Sequence, residues 1–268
     1  MKETLNHSIL SSAYLWIDNK FVEHGEGFVN VSGNLKKNGA AQLFPYRQLV
    51  YDTSISGVTV PSGVYVNSSF SGVPIDYMKG QAYVNTSATV SGRYSAKEIN
   101  VYTSMKSEQK VLFESRFQES PKANSTFTGY NAADYVYPCA ILKIGAGANS
   151  SISFDGACST VVPLRVMLIC ENDYQYQSAT SLLRDSYETH IPLFSTSQLP
   201  FSSSGTLKFP FDYSASGSLI SQNSNNLAYV KNVSISDFDP RVNNEIAPNV
   251  VGGFVDLDLE CLRFPRNS

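Results

Sequence analysis

The sequence predicts an α+β fold: a mainly antiparallel sheet with two flanking helices, plus an inserted small all-β sandwich or barrel module. Three observations support this fold class. Apolar residues recur with helical spacing in two segments, and they alternate with polar residues over several short segments between 45 and 118. The alternation is most regular in 253–264. With 268 residues, 42% of them hydrophobic, the chain can bury a sizeable core.

Two helices are predicted, at residues 4–24 and from Asp173 to about His190. The first carries one apolar face, made of Leu5, Ile9, Ala13, Trp16, Ile17 and Phe21. The second is expected to bury Tyr176, Ala179, Leu182, Leu183 and Tyr187. Strands outside the module are predicted at 140–144, 161–170, 206–211, 227–233 and 253–264.

Residues 45–118 are predicted to form the inserted module, within a core made of residues 1–44 and 119–268. Turn signals with glycine, such as Lys79-Gly80, separate its short strands. The Val111-Leu112-Phe113 run is expected to be its last strand. The basic doublet Lys36-Lys37 is expected in a polar loop at 33–39.

Charged residues make up 16% of the chain and the formal net charge is −3, so the sequence lacks the basic footprint of a nucleic-acid-binding protein. We therefore expect neither sequence-specific nucleic-acid binding nor a membrane partner. Ser, Thr, Asn, Gly and Tyr replace the charges, and such a surface loses little side-chain entropy when it is ordered against a partner. The first residues do not resemble a signal peptide, which predicts synthesis in the cytosol.

The four cysteines are not spaced as a zinc motif or as a dense disulfide framework. Cys170 and Cys261 are expected to be small buried apolar residues. The sequence neither establishes nor excludes a disulfide between Cys139 and Cys158.

Titratable residues do not form a catalytic or metal-binding pattern in the sequence. His7 and His24 lie at opposite ends of one predicted helix, and His190 is expected at a helix end. Asp256, Asp258 and Glu260 project from one strand face in a row, which does not close a cation cage. We expect that row to be solvated or to pair with Lys or Arg of a neighbouring strand.

Two further motifs favour turns over chemistry. The loop Gly145-Ala146-Gly147-Ala148-Asn149 lacks the lysine and the helix start of a phosphate loop. The segment 237–241 is typical of a turn with an Asx cap, and no Gly-x-Ser-x-Gly elbow is present. The sequence thus predicts no catalytic residue, no metal site and no cofactor.

Two groups of segments carry a resemblance to known proteins. In the β module they are Ser54–Asn67, Ile75–Val84 and Val90–Tyr102. In the C-terminal half they are Leu182–Ser186, Ile191–Leu193, Leu199–Phe201 and Phe254–Arg263. These segments resemble structural proteins of contractile-tailed bacteriophages. The resemblance implies a non-enzymatic virion protein of the neck or tail, such as a tail terminator or completion protein. It also implies assembly in the host cytoplasm into a homo-oligomeric ring that contacts other virion proteins.

Two other functions stay open from sequence. One is a β-rich glycan-binding or adhesin-type protein that uses Tyr and Trp platforms on the inserted module. The other is a hydrolase with a diffuse site. Tyr77, Tyr83, Tyr94 and Tyr102 have no catalytic partner in the sequence, so we interpret them as packing and contact residues.

Overall fold

The structure is a computed structural model that describes residues 5–24, 27–45, 48–115, 135–152, 157–194, 200, 210–218, 227–239, 241–242 and 250–263. Its helices are α1 (Leu5–Glu23), α2 (Glu108–Ser115), α3 (Asp173–Arg184) and α4 (Tyr213–Ser218). The strands of the first half are β1 (Phe28–Asn34), β2 (Lys36–Asn38), β3 (Ala41–Leu43), β4 (Val64–Val66), β5 (Ser69–Ser71), β6 (Ile75–Asp76), β7 (Gln81–Ala82), β8 (Val90–Lys97) and β9 (Asn100–Thr103). Those of the second half are β10 (Cys139–Ile144), β11 (Ala148–Ser151), β12 (Cys158–Cys170), β13 (His190–Pro192), β14 (Leu227–Asp237) and β15 (Val251–Arg263).

These strands form one large sheet and two smaller ones. The large sheet has seven strands in the order β13-β14-β15-β12-β10-β9, with β11 pairing beside β12. The smaller sheets have the orders β1-β8-β4-β5 and β2-β3-β7-β6. Every strand pair is antiparallel except β9 with β10, which is parallel. The predicted combination of helices with mainly antiparallel sheets is confirmed.

The two longest strands form the centre of the large sheet. β12 and β15 pair from Cys158 opposite Arg263 to Cys170 opposite Val251. The predicted alternation of β15 is present: Val255, Leu257, Leu259 and Cys261 are buried, and the residues between them are half-buried. We call the side with the buried residues the inner face, because α1 and α3 contact the sheet there, and the opposite side the outer face.

Helix α1 lies where the sequence predicts it, but it is buried around its whole circumference. Every residue from Ser12 to Asn19 is buried, polar ones included. The helix contacts β9, β10 and β13 of the large sheet on one side. On another side, Asp18 and Asn19 bond to Lys97 of β8 and to Asp52. The buried surface of this helix therefore extends beyond the single apolar face that the sequence predicts.

Strand pairing crosses both predicted boundaries of the inserted module. β1 pairs with β8 over seven residue pairs, from Phe28 opposite Lys97 to Asn34 opposite Ser91. β3 also pairs with β7 across the predicted 44/45 boundary, and β9 pairs with β10 across the predicted 118/119 boundary. The division into a core and an insertion stays a prediction that this pairing does not favour.

Three local predictions are wrong. The Val111–Phe113 run belongs to α2 and not to a strand. Ser107 directly precedes this helix, and its hydroxyl accepts from the Lys110 N–H in the first turn. Lys36 and Lys37 lie in strand β2, with Gly39 (φ 59°) in the turn that follows. Helix α3 ends at Arg184, well before His190.

The end of α3 has a local cause. The Ser186 hydroxyl donates to the Leu182 carbonyl, and Glu188 adopts a φ of 60°, which no helix residue has. Tyr176, Ala179 and Leu183 are buried as predicted, whereas Tyr187 lies beyond the helix with 53% of its surface exposed. Of the strand predicted at 206–211, residues 206–209 lie outside the described residues.

Candidate interaction surface and buried ionic centre

The most concentrated polar cluster is an ion pair inside the molecule. Lys97 Nζ lies 2.6 Å from Asp18 Oδ1, with 1% and 3% of the two side chains exposed. The ammonium group also lies 4.7 Å from the ring centroid of Tyr51. Burial raises the pKa of Asp18 and lowers the pKa of Lys97, in both cases against the attraction between the two charges.

Gln48 connects this pair to the large sheet. Its Oε1 lies 3.5 Å from Lys97 Nζ and accepts from the Val101 N–H at 2.9 Å, while its Nε2 donates to the Val101 carbonyl at 2.8 Å. We call Asp18, Gln48 and Lys97 the buried ionic centre. It joins α1, β8 and the edge of β9.

A second carboxylate extends the same polar region. Asp52 accepts from Asn19 Nδ2 at 2.7 Å, from the Ser54 N–H and hydroxyl, and from the Tyr213 N–H at 3.3 Å. The Asn19 bond holds the segment at Asp52 against α1, and the Tyr213 bond joins the same segment to the start of α4. Sequence reasoning missed both carboxylates, although an aspartate between Ile17 and Phe21 in a buried helix was an available signal.

A row of charges crosses the outer face of the large sheet. Arg165 of β12 makes a bidentate pair with Asp256 of β15, through Nε at 2.6 Å and Nη2 at 2.8 Å. Its Nη1 donates to Glu108 of α2 at 3.0 Å, and Lys143 of β10 lies 3.8 Å from the same carboxylate. Hydrogen bonding to Asp256 raises the pKa of Arg165 above its ordinary value. This row ties the start of α2 to the sheet.

The predicted acidic row on β15 is paired with neighbouring strands. Asp256 bonds to Arg165, and the Asp258 carboxylate accepts from Asn232 at 3.4 Å. Glu260 accepts from the Ser159 hydroxyl and from Lys231 at 3.2 Å, and these two bonds lower its pKa. Among the described residues, no group of three His, Cys, Asp or Glu side chains is arranged to hold a metal ion.

The charge row divides the outer face into two halves. On one side, apolar residues of the sheet are covered by α2 and by Tyr135 and Tyr137 in a second small core. On the other side of the row, none of the described elements covers the outer face around Asp258, Glu260 and Leu262, and Leu262 is 67% exposed. We call this second region the uncovered half.

The two edges of the large sheet differ. At the β9 edge, Gln48 occupies both backbone groups of Val101, as a neighbouring strand would. At the other edge, β13 pairs only with residues 227–229 of β14. In the part of the chain that the structure describes, no strand lies beside Lys231–Asp237 on the side away from β15. The side chains of this segment are exposed except for the half-buried Val233. We call this segment the open edge.

The three histidines do not converge. His7 and His24 are exposed at the two ends of α1, as predicted. His190 is not at a helix end; it begins strand β13, and its ring centroid lies 5.3 Å from that of Tyr229.

The four cysteines are free thiols. Cys139 lies opposite Ile169 of β12, eleven positions from Cys158 on the same strand. Eleven residues of strand span about 36 Å, so these two cysteines do not bond within one chain. Burial raises the pKa of Cys139, that of Cys170 to about 12 and that of Cys261 to about 11.

Three of the four tyrosines singled out in the sequence pack against neighbours. Tyr77 is buried, its hydroxyl donates to the Pro61 carbonyl at 2.8 Å, and burial raises its pKa to about 12. The Tyr94 and Tyr102 rings make edge contacts with Phe44 and Tyr135, at centroid distances of 4.7 and 5.2 Å. Tyr83 is 49% exposed.

Of the glycine-rich loop predicted at 145–149, residues 145–147 connect β10 to β11, whereas Ala148 and Asn149 lie in β11. The Gly145 N–H donates to the Pro163 carbonyl where β10 ends and the chain passes to β11. The Asp239 carboxylate accepts from the Arg241 N–H at 2.8 Å, which is the expected Asx turn.

No known protein family matches the chain, and no curated protein matches its sequence. None of the described helices has the length and apolar character needed to cross a lipid bilayer.

Proposed function

We propose that this chain is a non-enzymatic structural protein of a tailed-phage virion, which forms a ring in the neck or tail as a tail terminator or completion protein. The observation that carries the proposal is the uncovered half of the outer face, where Leu262 is 67% exposed. Closed rings need contact surfaces between copies, and an exposed sheet face provides such a surface.

The described charge clusters support a contact role. Asp18 and Lys97 are enclosed in the core, and Arg165, Asp256 and Glu108 hold α2 on the sheet. The contacts of these charged side chains are internal and stabilising. The resemblance to phage structural proteins points to the same kind of role.

The proposal is tested by the size and shape of the purified protein. We expect light scattering and negative-stain microscopy to show closed rings larger than a dimer, and antibodies to label the neck or tail of intact virions. A protein that stays a monomer or dimer at all concentrations and is absent from virions would overturn the proposal.

A matched pair of variants locates the contact surface. Leu262→Asp places a charge on the uncovered half and is expected to reduce the ring fraction, because burying an unpaired charge is unfavourable. Met105→Asp is the control, since Met105 is 82% exposed and lies elsewhere, between β9 and α2. Equal ring fractions in the two variants would exclude the uncovered half as the contact surface.

One observation favours glycan binding as a second candidate. The β4–β5 hairpin turns at Asn67 and Ser68, both with positive φ, and carries Tyr65 and Phe70 with ring centroids 5.6 Å apart. Phe70 is 58% exposed, whereas Trp16, the single tryptophan, is 6% exposed and cannot serve as a platform. Binding on a glycan array that Phe70→Ala abolishes would support this candidate, and an array without signal would exclude it for the glycans present.

A further inference from the structure

The backbone of the open edge presents a regular set of hydrogen-bonding groups. The Phe238 N–H donates to the Gly252 carbonyl, at the end of the ladder between β14 and β15. Because residues of an antiparallel ladder point their backbone groups toward and away from the partner alternately, Ser234 and Ser236 face β15. The N–H and C=O groups of Val233, Ile235 and Asp237 therefore point away from the sheet.

We propose that the open edge pairs antiparallel with the same segment of a second copy of this chain, across a two-fold axis at Ser234. Val233 of one copy then lies opposite Ile235 of the other. The two-fold axis produces this Val233–Ile235 pair twice. Each pair exchanges two N–H···O=C bonds, which gives four backbone hydrogen bonds in all. The two large sheets become one continuous sheet.

The side chains of the segment are self-complementary in this register. Val233 and Ile235 project on the face of Leu257 and Val255, and Ile235 is 38% exposed without a partner chain. In the dimer, Val233 of each copy therefore contacts Ile235 of the other copy, which makes two apolar contacts. Asn232 falls opposite Ser236, so two polar side chains face each other at each end of the paired segment.

A second copy is favoured over an unrelated strand for a structural reason. The opposite edge of the same sheet is closed by Gln48 at Val101, so this sheet does not extend edge to edge in a head-to-tail manner. Within the described part of the large sheet, the open edge has no second open edge to meet, so it pairs with another copy of itself, which is the isologous contact of two-fold dimers. The inference goes beyond the proposed function, because a dimer forms at β14 whether or not copies close into a ring.

Site-directed crosslinking tests the register. In the proposed dimer, the two Ser234 Cα atoms form a non-hydrogen-bonded pair about 4.5 Å apart, within disulfide range. We expect Ser234→Cys to form a covalent dimer under mild oxidation, resolved on a non-reducing gel. Ser236→Cys is the matched control, since its symmetry mates are four positions apart, about 13 Å. Wild-type protein controls for the natural cysteines. Covalent dimer from Ser234→Cys at no more than the control level would overturn the proposal.

A proline variant tests the pairing without crosslinking. Ile235→Pro removes an N–H that points away from β15, so the fold of the chain is expected to persist. We expect light scattering to show at least a tenfold weaker dimer, with an unchanged far-ultraviolet circular dichroism spectrum. A folded Ile235→Pro variant with the dimer affinity of the wild type would overturn the proposal. Failure to form rings in either experiment bears on the proposed function and not on this dimer.

Discussion

Three neighbouring groups stabilise the buried positive charge of Lys97. Asp18 supplies the opposite charge, Gln48 supplies an amide oxygen, and the Tyr51 ring supplies a π face. A buried pair of this kind is often no more stabilising than an apolar pair, but removing one partner leaves an uncompensated charge. Its role is therefore to specify how α1 sits against β8.

Lys97→Met is expected to lower the free energy of unfolding by roughly 3–5 kcal/mol, because Asp18 keeps its burial and loses its cation. Urea denaturation measures the change. Adding Asp18→Asn to Lys97→Met should restore part of the loss. The control is Lys110→Met, at an exposed position, which should change stability by less than about 0.5 kcal/mol. Equal stability of Lys97→Met and the control would contradict a charge-specific role for the pair.

Thiol reactivity provides a second test at this scale. Cys139, Cys170 and Cys261 are buried and their pKa values are raised, so at pH 8 they are protonated and inaccessible. Cys158 is half-buried. We expect a thiol reagent such as DTNB to modify one cysteine rapidly in the native protein and four after unfolding in guanidinium. Cys158→Ser should abolish the rapid phase; persistence of that phase would show that another cysteine is accessible.

At the scale of single elements, Gln48 acts as a side-chain substitute for a strand. Its amide satisfies both backbone groups of Val101 at an edge of the large sheet. Gln48→Ala is expected to cost about 2–4 kcal/mol, since each buried group left without a partner costs about 1–3 kcal/mol. The control is Gln177→Ala on the exposed side of α3, with little expected change. Chemical denaturation of both variants checks this, and a Gln48→Ala loss no larger than the control's would contradict it.

Elements were predictable where residue periodicity alone decides the structure. β15 is half-buried along its whole length, so apolar and acidic residues alternate from Val255 to Cys261. α2 was missed because three consecutive apolar residues indicate a strand as readily as a helix that caps a second core. The end of α3 was placed too late because Tyr187 continues the helical spacing, while side-chain bonding at Ser186 ends the helix.

The candidate interaction surface was only partly predictable. The acidic residues of β15 could be placed on one strand face from the sequence, and pairing with neighbouring strands was among the expectations. Their partners Arg165 and Lys231 could not be named, because strand order and register depend on contacts far apart in the chain. The open edge could not be predicted for the same reason. It is open because β13 is short and pairs only with the first residues of β14.

At the scale of the whole molecule, the arrangement of the sheets bears on how the chain unfolds. Residues 28–43 pair with β7 and β8, and β9 pairs with β10, so segments on both sides of each predicted boundary complete one another's sheets. Local alternation of residues cannot reveal this, since a strand pattern is the same whether its neighbour lies nearby or far along the chain. Lys97 adds a buried bond from β8 to α1.

The shared sheets predict cooperative unfolding. Trp16 is the single tryptophan and lies in α1, so its fluorescence reports on the helix enclosed between the sheets. Far-ultraviolet circular dichroism reports on all strands, including those of residues 45–118. Because unfolding β8 would expose Lys97 and remove the partner of β1, we expect both probes to show one urea transition with the same midpoint. A fragment of residues 45–118 should stay unfolded, since β7, β8 and β9 would lose their partners β3, β1 and β10. Two separated transitions, or a folded fragment, would instead establish residues 45–118 as an autonomous module.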